Sequence, residues 1–366
     1  MKHLFLIFLI FHFLIHLLGF IKGFQIFEVK EFTIPINKPF GLIWLGTALI
    51  FLTSTIFYWY DHPHWWLFAL LGVILSQVLI IWFWADAKFG TFPNILIFLV
   101  AFISFSQFLF QQKVDAEVEE ILKESSDQPS DPITLESIQG LPQPVIKWLK
   151  QSGIIGKSPI HSLKITQEYR IKLKPEQTNW YSAKAEQYTT AYPPAFVWTA
   201  DMKMMPLVFA FGRDKFIDGE GEMLFKLLNL FPVAKDGPNT QINESALQRF
   251  LGEIVWNPSS ALMDYVTWEE IDENTAKATL KYKNTTGAGF FYFDQNGRLT
   301  QFVAERFMGS GTEAKKHLWI VKVLEYKAFD GITLPSKCNA TWKLENGDWT
   351  WAEFEVTQIE FNPETQ

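Results

Sequence analysis

Several ionisable residues have the type and setting that chemistry would need. In LQRFLGEIVW, Arg249 and Glu253 lie four residues apart, which places both side chains on one face of a helix. Arg213 and Asp214 stand in the apolar stretch VFAFGRDKFIDG, and Glu305 and Arg306 stand in FVAERF. Such a cluster of carboxylates and arginines could bind a polar headgroup or serve as acid and base. Glu253 or Glu305 is therefore a candidate general base, with Arg213 or Arg249 beside it. The alternative, which the spacing of four favours, is a set of ion pairs that orient a helix over a sheet.

A second candidate group lies in the most apolar stretch, FHFLIHLLGF, where His12 and His16 are one helical turn apart. Ionisable side chains inside a membrane span suggest function, and neutral imidazole is the commonest metal ligand. A metal ion or haem would need more ligands at the same depth, and the neighbouring apolar segments offer Ser and Gln instead. We therefore predict polar contacts between helices, with metal binding and a proton-linked role as alternatives.

Familiar catalytic and cofactor patterns are missing from the sequence. It contains no G-x-S-x-G, H-E-x-x-H, Walker, G-x-G-x-x-G or EF-hand motif. Cys338 is the single cysteine, which excludes an internal disulfide and a cysteine-cluster metal site. We predict no metal and no cofactor, and we favour a binding or structural protein over an enzyme.

The composition divides the chain into an apolar first third and a charged remainder. Residues 1–110 hold five Lys, no Arg, two Asp and two Glu, so the rest of the chain carries the acidic excess behind the net charge of −7. This contrast predicts a membrane domain joined to a water-soluble one. An acidic soluble domain is a poor candidate for nucleic-acid binding.

Four apolar segments are long enough to span a bilayer, and together they predict a transmembrane domain over residues 1–112. The predicted spans are about 4–21, 41–60, 65–84 and 92–110. The first is too long for a typical signal peptide and lacks an A-x-A-like site, so we expect a retained anchor. The loops favour an extracytoplasmic C-terminal domain by a margin of one lysine.

The remainder predicts a linker followed by a β-rich domain. Residues 113–132 predict a helix followed by a hinge at SSDQPSDP. In residues 133–366, apolar and polar side chains alternate as they do in β-strands, and Asp-Gly and Asn-Gly turns separate several of these segments. Helices are predicted in LPQPVIKWLKQSGIIG, with Gly153 as its stop, around 245–255, and within MLFKLLNLF. The expected fold is mainly β (α+β), a curved antiparallel sheet or half-barrel covered by helices.

Aromatic and methionine side chains crowd one part of this domain. Such residues suit an adaptable apolar pocket, although a well-filled core has the same composition. The predicted ligand-binding residues are Tyr188, Tyr192, Phe196, Trp198, Met204, Phe209, Phe211, Arg213, Met223, Leu227 and Arg249.

Several stretches in order along the chain resemble a bacterial membrane-anchored family of unknown function. They include LPQPVIKWLKQSGIIG, GRDKFIDGEGEML, FLGEIVWNPSSALM and GITLPSKCNATWKLENGDW, with HFLIHLLGF and SQVLIIWFWADAKFGT near the front. The soluble domain of that family looks like the half-barrel of outer-membrane lipoprotein carriers. The resemblance implies a bacterial inner-membrane protein, but it transfers no activity because fold does not fix function.

Three hypotheses follow from the sequence. The first is a membrane-integral protein whose soluble domain binds a lipid or another hydrophobic small molecule, as a carrier, a sensor or an envelope-maintenance protein. The second is an enzyme that acts on a membrane-derived substrate through the Glu and Arg residues named above. The third is a structural module that binds protein partners, which the sequence does not identify.

Overall fold

The computed structural model describes residues 2–30, 32–125, 131–206 and 208–363. The chain divides into two compact units, Met1–Gln112 and Lys113–Gln366. Most of the predicted hinge SSDQPSDP lies outside the described residues, because positions 126–130 are not among them.

The first unit is helical. Its helices are α1 (Lys2–Gly23), α2 (Lys38–Trp59), α3 (Trp65–Trp82), α4 (Trp84–Ala87) and the beginning of α5 (Thr91–Ser125). Among the described residues, four helical segments are long and apolar enough to cross a membrane: Lys2–Gly23, Lys38–Trp59, Trp65–Trp82 and Trp84–Ser125. The side chain of Asn37 caps α2 by accepting a hydrogen bond from the backbone N–H of Phe40 at 3.1 Å.

The second unit is built on one antiparallel sheet of thirteen strands within the described residues. The strands are β1 (Ser162–Ile171), β2 (Tyr181–Thr190), β3 (Ala195–Met205), β4 (Val208–Ile217), β5 (Glu220–Leu227), β6 (Phe231–Asp236), β7 (Val266–Asp272), β8 (Thr275–Tyr282), β9 (Thr285–Phe293), β10 (Leu299–Met308), β11 (Lys315–Phe329), β12 (Ile332–Leu344) and β13 (Gly347–Phe361). Their spatial order is β6-β5-β4-β3-β2-β1-β13-β12-β11-β10-β9-β8-β7. The β1–β13 pair joins two meanders into a single sheet.

Helices α6 (Gln143–Ser152) and α7 (Thr240–Glu253) pack against the sheet. Gly153 ends α6 with a φ of 80°, a left-handed conformation that glycine adopts without strain, as the sequence predicted. Helix α7 contacts β4 and β5 near one end of the sheet and also β9 and β10 near the other. The sheet must therefore curve around α7, and this confirms the predicted half-barrel covered by helices.

The ring of Phe302 packs closely against a glycine of α7 and a glycine of β9. A Cβ atom on Gly252 of α7 would lie 2.8 Å from the Phe302 ring, and one on Gly289 of β9 would lie 2.3 Å from it. Real Cβ atoms do not approach this closely, so only glycine fits at both positions. The Phe302 ring of β10 thus packs against both α7 and β9 on the concave side.

The predicted helix within MLFKLLNLF is wrong, because this segment forms β5, a tight turn and the start of β6. Met223 and Phe225 point towards the concave side, whereas Leu224 is buried on the opposite face. A strand covered on both faces has the same continuous apolar run as a buried helix. Leu228 and Asn229, with φ of 53° and 57°, make the turn between the strands.

Candidate functional site

A cavity of about 490 Å³ lies between the concave face of the sheet and α7. Its walls are mostly apolar, and their charged and polar members are Lys172, Asp214, Asp236, Ser245, Arg249, Glu253 and Arg306. The aromatic and methionine lining is Tyr169, Trp198, Met202, Met223, Phe225, Trp256, Phe302, Phe307, Met308, Trp319, Trp342, Trp349, Trp351 and Phe354.

Strands β11 to β13 supply four of the tryptophans. Trp342 on β12 pairs with Trp349 on β13, and Ala340 pairs with Ala352. The register shift between these two pairs leaves one extra residue on β13, a β-bulge that brings Trp351 to the cavity beside Trp349. Bulges re-aim side chains in this way.

Small side chains leave the room that the tryptophans surround. Cys338, Ala340 and Ala352 line the cavity and are all buried. Burial raises the pKa of the Cys338 thiol to about 12, so the group stays a neutral thiol at physiological pH. At this position cysteine acts as a small apolar residue.

One arginine of the cavity has a complete set of partners. Arg249 donates from Nη1 to Asp214 Oδ2 at 2.6 Å and from Nε to Glu253 Oε1 at 2.8 Å. Its Nη2 donates to Gln187 Oε1 at 2.9 Å, and Gln187 Nε2 donates in turn to Glu253 Oε2 at 2.7 Å. Burial opposes the charge of Arg249, but Glu253 and Asp214 outweigh it and raise the pKa of the guanidinium. This cluster fixes the end of α7 over β2 and β4.

The other arginine of the cavity is placed differently. Arg306 on β10 donates from Nε to the carbonyl oxygen of Ser245 at 3.0 Å. Its guanidinium lies 4.6 Å from the centre of the Trp319 ring and 5.9 Å from that of Trp342. Burial lowers the pKa of Arg306 to about 10, which still leaves it charged at neutral pH. Among the described residues, no carboxylate lies within 4.0 Å of it.

The predicted site residues separate into two groups. Trp198, Met223, Arg249 and Glu253 line the cavity. The residues that do not appear in its walls are Tyr188, Tyr192, Phe196, Met204, Phe209, Phe211, Arg213, Leu227 and Glu305. Strand alternation explains part of this division: Asp214 faces the concave side of β4, so Arg213 and Phe211 face the other side.

Glu253 and Glu305, the two candidate bases, do not share a site. Both oxygens of Glu253 are engaged, one by Arg249 and one by Gln187. Glu305 is exposed on the outer face of β10, because its neighbours on the strand face inwards.

Arg213 belongs to a charge network on the outer face of the sheet. Its side chain is fully buried, donates from Nη1 to Glu117 Oε1 at 2.6 Å, and pairs through Nη2 with Glu222. Lys215 contacts Glu117 at 3.0 Å, and Lys113 lies 3.9 Å from Glu222. Burial opposes the charge of Glu222, but Arg213, Lys113 and Lys215 lower its pKa. The network fixes the last turns of α5 to β4 and β5.

In the first unit, His12 and His16 are buried and join three helices. His12 Nε2 lies 2.9 Å from Asn94 Oδ1 on α5, and His16 Nε2 lies 2.9 Å from Ser76 Oγ on α3. Ser76 also contacts Asn94 Oδ1 at 3.1 Å. In the described part of the chain, no group of three or more His, Cys, Asp or Glu is arranged to hold a metal ion.

Sequence reasoning missed several residues of these sites. It named Arg306 among the charged residues in apolar stretches but not among the ligand-binding residues, and it did not select the tryptophans of β11 to β13 or Asn94 as a partner for the histidines. A signal for the tryptophans was present in LWIV, TWKL and DWTWAEF, where large aromatic residues recur on strands. The β-bulge that brings Trp351 to the cavity depends on pairing between distant strands and leaves no such signal.

Comparison with known proteins gives a family but no activity. The model of a family of unknown function, DUF6544, matches residues 131–354. No curated protein matches the chain. The solved structure of a DUF1329 family protein from Desulfovibrio piger is similar, with 7% identity, a TM-score of 0.34, and coverage of 63% of this chain and 94% of that one. A LolA superfamily protein from Nitrosomonas europaea shows 10% identity, a TM-score of 0.28, and coverage of 62% and 93%. Likeness at these scores supports no statement about function.

Proposed function

The chain belongs to DUF6544, a family of unknown function, and we propose that its second unit binds a hydrophobic small molecule, such as a lipid, in the cavity under α7. The sequence motifs described above resemble a family of unknown function, and the match to DUF6544 identifies that family. The ligand would lie among the tryptophans of β11 to β13 and the methionines of β3, β5 and β10.

The observation that carries this proposal is the cavity itself. Protein cores are packed to the density of organic crystals, and voids larger than a water molecule are few. A space of about 490 Å³ lies within the range of roughly 300–1,000 Å³ that small-molecule sites occupy. Its lining combines many apolar side chains with a few polar groups, which is the composition of a ligand site.

The apolar helices of the first unit supply a context for such a ligand. We propose that they anchor the protein in a bacterial inner membrane and that the second unit lies outside the cytoplasm. A bilayer would then provide both the anchor and a source of lipid. A carrier, a lipid sensor and an envelope-maintenance protein would all use a cavity of this kind.

Native mass spectrometry of the full-length protein, released from detergent in the gas phase, tests the binding proposal. We expect a bound mass that organic extraction removes and identifies as a lipid. Ala340→Phe places a ring in the cavity and should abolish that mass. Thr357→Phe, on an exposed position of β13, is the matched control and should retain it. Wild-type protein that stays free of ligand after incubation with membrane lipids would show that the proposal is wrong.

Topology is tested with a single new cysteine. Asn179 is exposed, whereas the native Cys338 is buried, so Asn179→Cys provides the accessible thiol. We expect a membrane-impermeant maleimide to label this variant on intact cells. Labelling only after lysis would place the second unit in the cytoplasm.

A further inference from the structure

Arg306 has more hydrogen-bonding capacity than its surroundings use. A guanidinium has five N–H donors, and the Nε–H of Arg306 is taken by the carbonyl oxygen of Ser245. Neither Nη1 nor Nη2 has a hydrogen-bond acceptor among residues 2–30, 32–125, 131–206 and 208–363. Arg306 is half-buried. Charges drawn away from water are normally paired, so its free donors in the wall of a mainly apolar cavity require an explanation.

The nearby carboxylates do not supply the missing partner. Three carboxylates line the cavity. Asp214 and Glu253 are held by Arg249, and Asp236 accepts a hydrogen bond from Ser310 Oγ. The remaining contacts of Arg306 are with the ring faces of Trp319 and Trp342. These cation–π contacts hold the guanidinium beside the aromatic wall without using the donors of Nη1 and Nη2.

We propose that the ligand of this cavity is an amphiphile with an anionic end, a carboxylate or a phosphate, which Arg306 binds through Nη1 and Nη2. The apolar chain would lie against the tryptophans and against the small side chains of Ala340 and Ala352. Arginine suits this role because its planar fork matches a carboxylate or a phosphate in a bidentate manner. The inference rests on the proposed function, since it specifies the ligand class for the same cavity.

Photoreactive lipids that differ only at the polar end test the inference. Full-length protein in phosphatidylcholine nanodiscs is irradiated with a diazirine fatty acid, the corresponding fatty alcohol, or the corresponding lysophosphatidic acid. Labelled peptides are then mapped by mass spectrometry. Label on β10 to β13 is divided by label on α1 to α3, which corrects for partitioning of each probe into the bilayer.

We expect the fatty acid, the lysophosphatidic acid or both to label the cavity strands about tenfold more than the alcohol. A ratio of this size is expected because the alcohol cannot form the charge-assisted hydrogen-bond pair with Arg306. A preference for one acid over the other would show whether the anion is a carboxylate or a phosphate. Arg306→Met should remove the preference, and Arg306→Lys should retain part of it. The matched control is Arg298→Met, which removes the same charge from an exposed position outside the cavity.

The possible failures are distinguishable. Equal labelling of the cavity by acid and alcohol would overturn the anionic end but leave the hydrophobic cavity site standing. A preference that persists in Arg306→Met would overturn the role of Arg306. Cavity strands that no probe labels would contradict the proposed function, and this inference with it. If Arg306→Met does not fold, the comparison of acid with alcohol on the wild-type protein still decides the question.

Discussion

Arg249 and Arg306 line the same cavity, but the carboxylates of Asp214 and Glu253 contact Arg249 and lie beyond ion-pair distance of Arg306. Substituting Arg249 should therefore have a different effect from substituting Arg306. Arg249 completes a buried network that holds α7, whereas Arg306 offers free donors to the cavity. The first should govern stability and the second should govern ligand choice.

Arg249→Met should destabilise the second unit strongly. It leaves Asp214 and Glu253 partly buried without their cation, and breaking a buried ion pair from one side costs about 3–5 kcal/mol. We expect this loss in the free energy of unfolding, measured by urea denaturation and tryptophan fluorescence. Restoring most of the loss with Asp214→Asn and Glu253→Gln in the same chain would identify unpaired charge as the cause. A loss of under about 0.5 kcal/mol, typical of an exposed site, would contradict the prediction.

Arg249→Lys provides a second contrast at this position. Lysine keeps the charge but cannot contact Asp214, Glu253 and Gln187 together, because it lacks the planar fork of arginine. We expect a stability between those of the wild type and Arg249→Met in the same denaturation experiment. A fully restored stability would show that charge alone matters and that the fork geometry does not.

Glu117→Gln should weaken the attachment of α5 to the sheet. The buried Arg213 would keep Glu222 as a partner, so we expect a loss of about 1–3 kcal/mol rather than the cost of a fully unpaired charge. Thermal unfolding of the full-length protein in detergent measures the change. Glu119→Gln alters an exposed carboxylate on the same helix and should change stability little. Equal effects of the two substitutions would argue against the network.

The contribution of Glu222 should depend on pH. Its pKa in the folded protein lies below the ordinary value of 4.5, so its stabilising effect is complete above that value and disappears as the pH falls through the folded pKa. Wild type should therefore be more stable than Glu222→Gln at pH 7, and the difference should shrink below about pH 4.5. Stability curves for both proteins between pH 3 and pH 7 test this. A constant difference across that range would exclude the ion pairs as its source.

The sequence predicted the architecture well, because architecture follows from local patterns. Apolar length located the helices that are long and apolar enough to cross a membrane, and Gly153 and the Asp-Gly and Asn-Gly turns located ends of helices and strands. The segment MLFKLLNLF was read as a helix because burial on both faces removes the alternation that identifies a strand. Periodicity was informative wherever one face of an element was exposed.

The cavity was harder to predict because it depends on which face of each strand points inwards. Phe209, Phe211 and Arg213 were selected for composition, yet they alternate with Ala210, Gly212 and Asp214, which face the concave side. The small residues of this face leave room for the Phe225 ring, since a Cβ atom on Gly212 would lie 2.3 Å from it, and Phe225 in turn lines the cavity. Small residues that create a space give a weaker sequence signal than the large ones that fill it.

The histidines of α1 allow a direct test of packing against metal binding. If His16 serves as a hydrogen-bonding partner of Ser76, then His16→Leu and Ser76→Ala should be coupled in a double-mutant cycle. Interhelical hydrogen bonds in membranes average about 0.6 kcal/mol, so a coupling energy of roughly that size is expected. Unfolding in a denaturing detergent measures it. Thr53→Ala removes a hydroxyl that bonds within its own helix, to the carbonyl oxygen of Leu49, and should show no coupling to His16.

A chelator distinguishes the metal alternative in the same experiment. Polar contacts between helices need no metal, so EDTA should leave the unfolding of the wild type unchanged. The buried contacts of His12 and His16 with Asn94 and Ser76 favour this outcome, because they occupy the Nε2 atom of each ring. Destabilisation by the chelator in the wild type but not in His16→Leu would instead support a metal ligand pair. Additive effects of His16→Leu and Ser76→Ala, without any response to the chelator, would contradict both interpretations and leave the proton-linked role for testing.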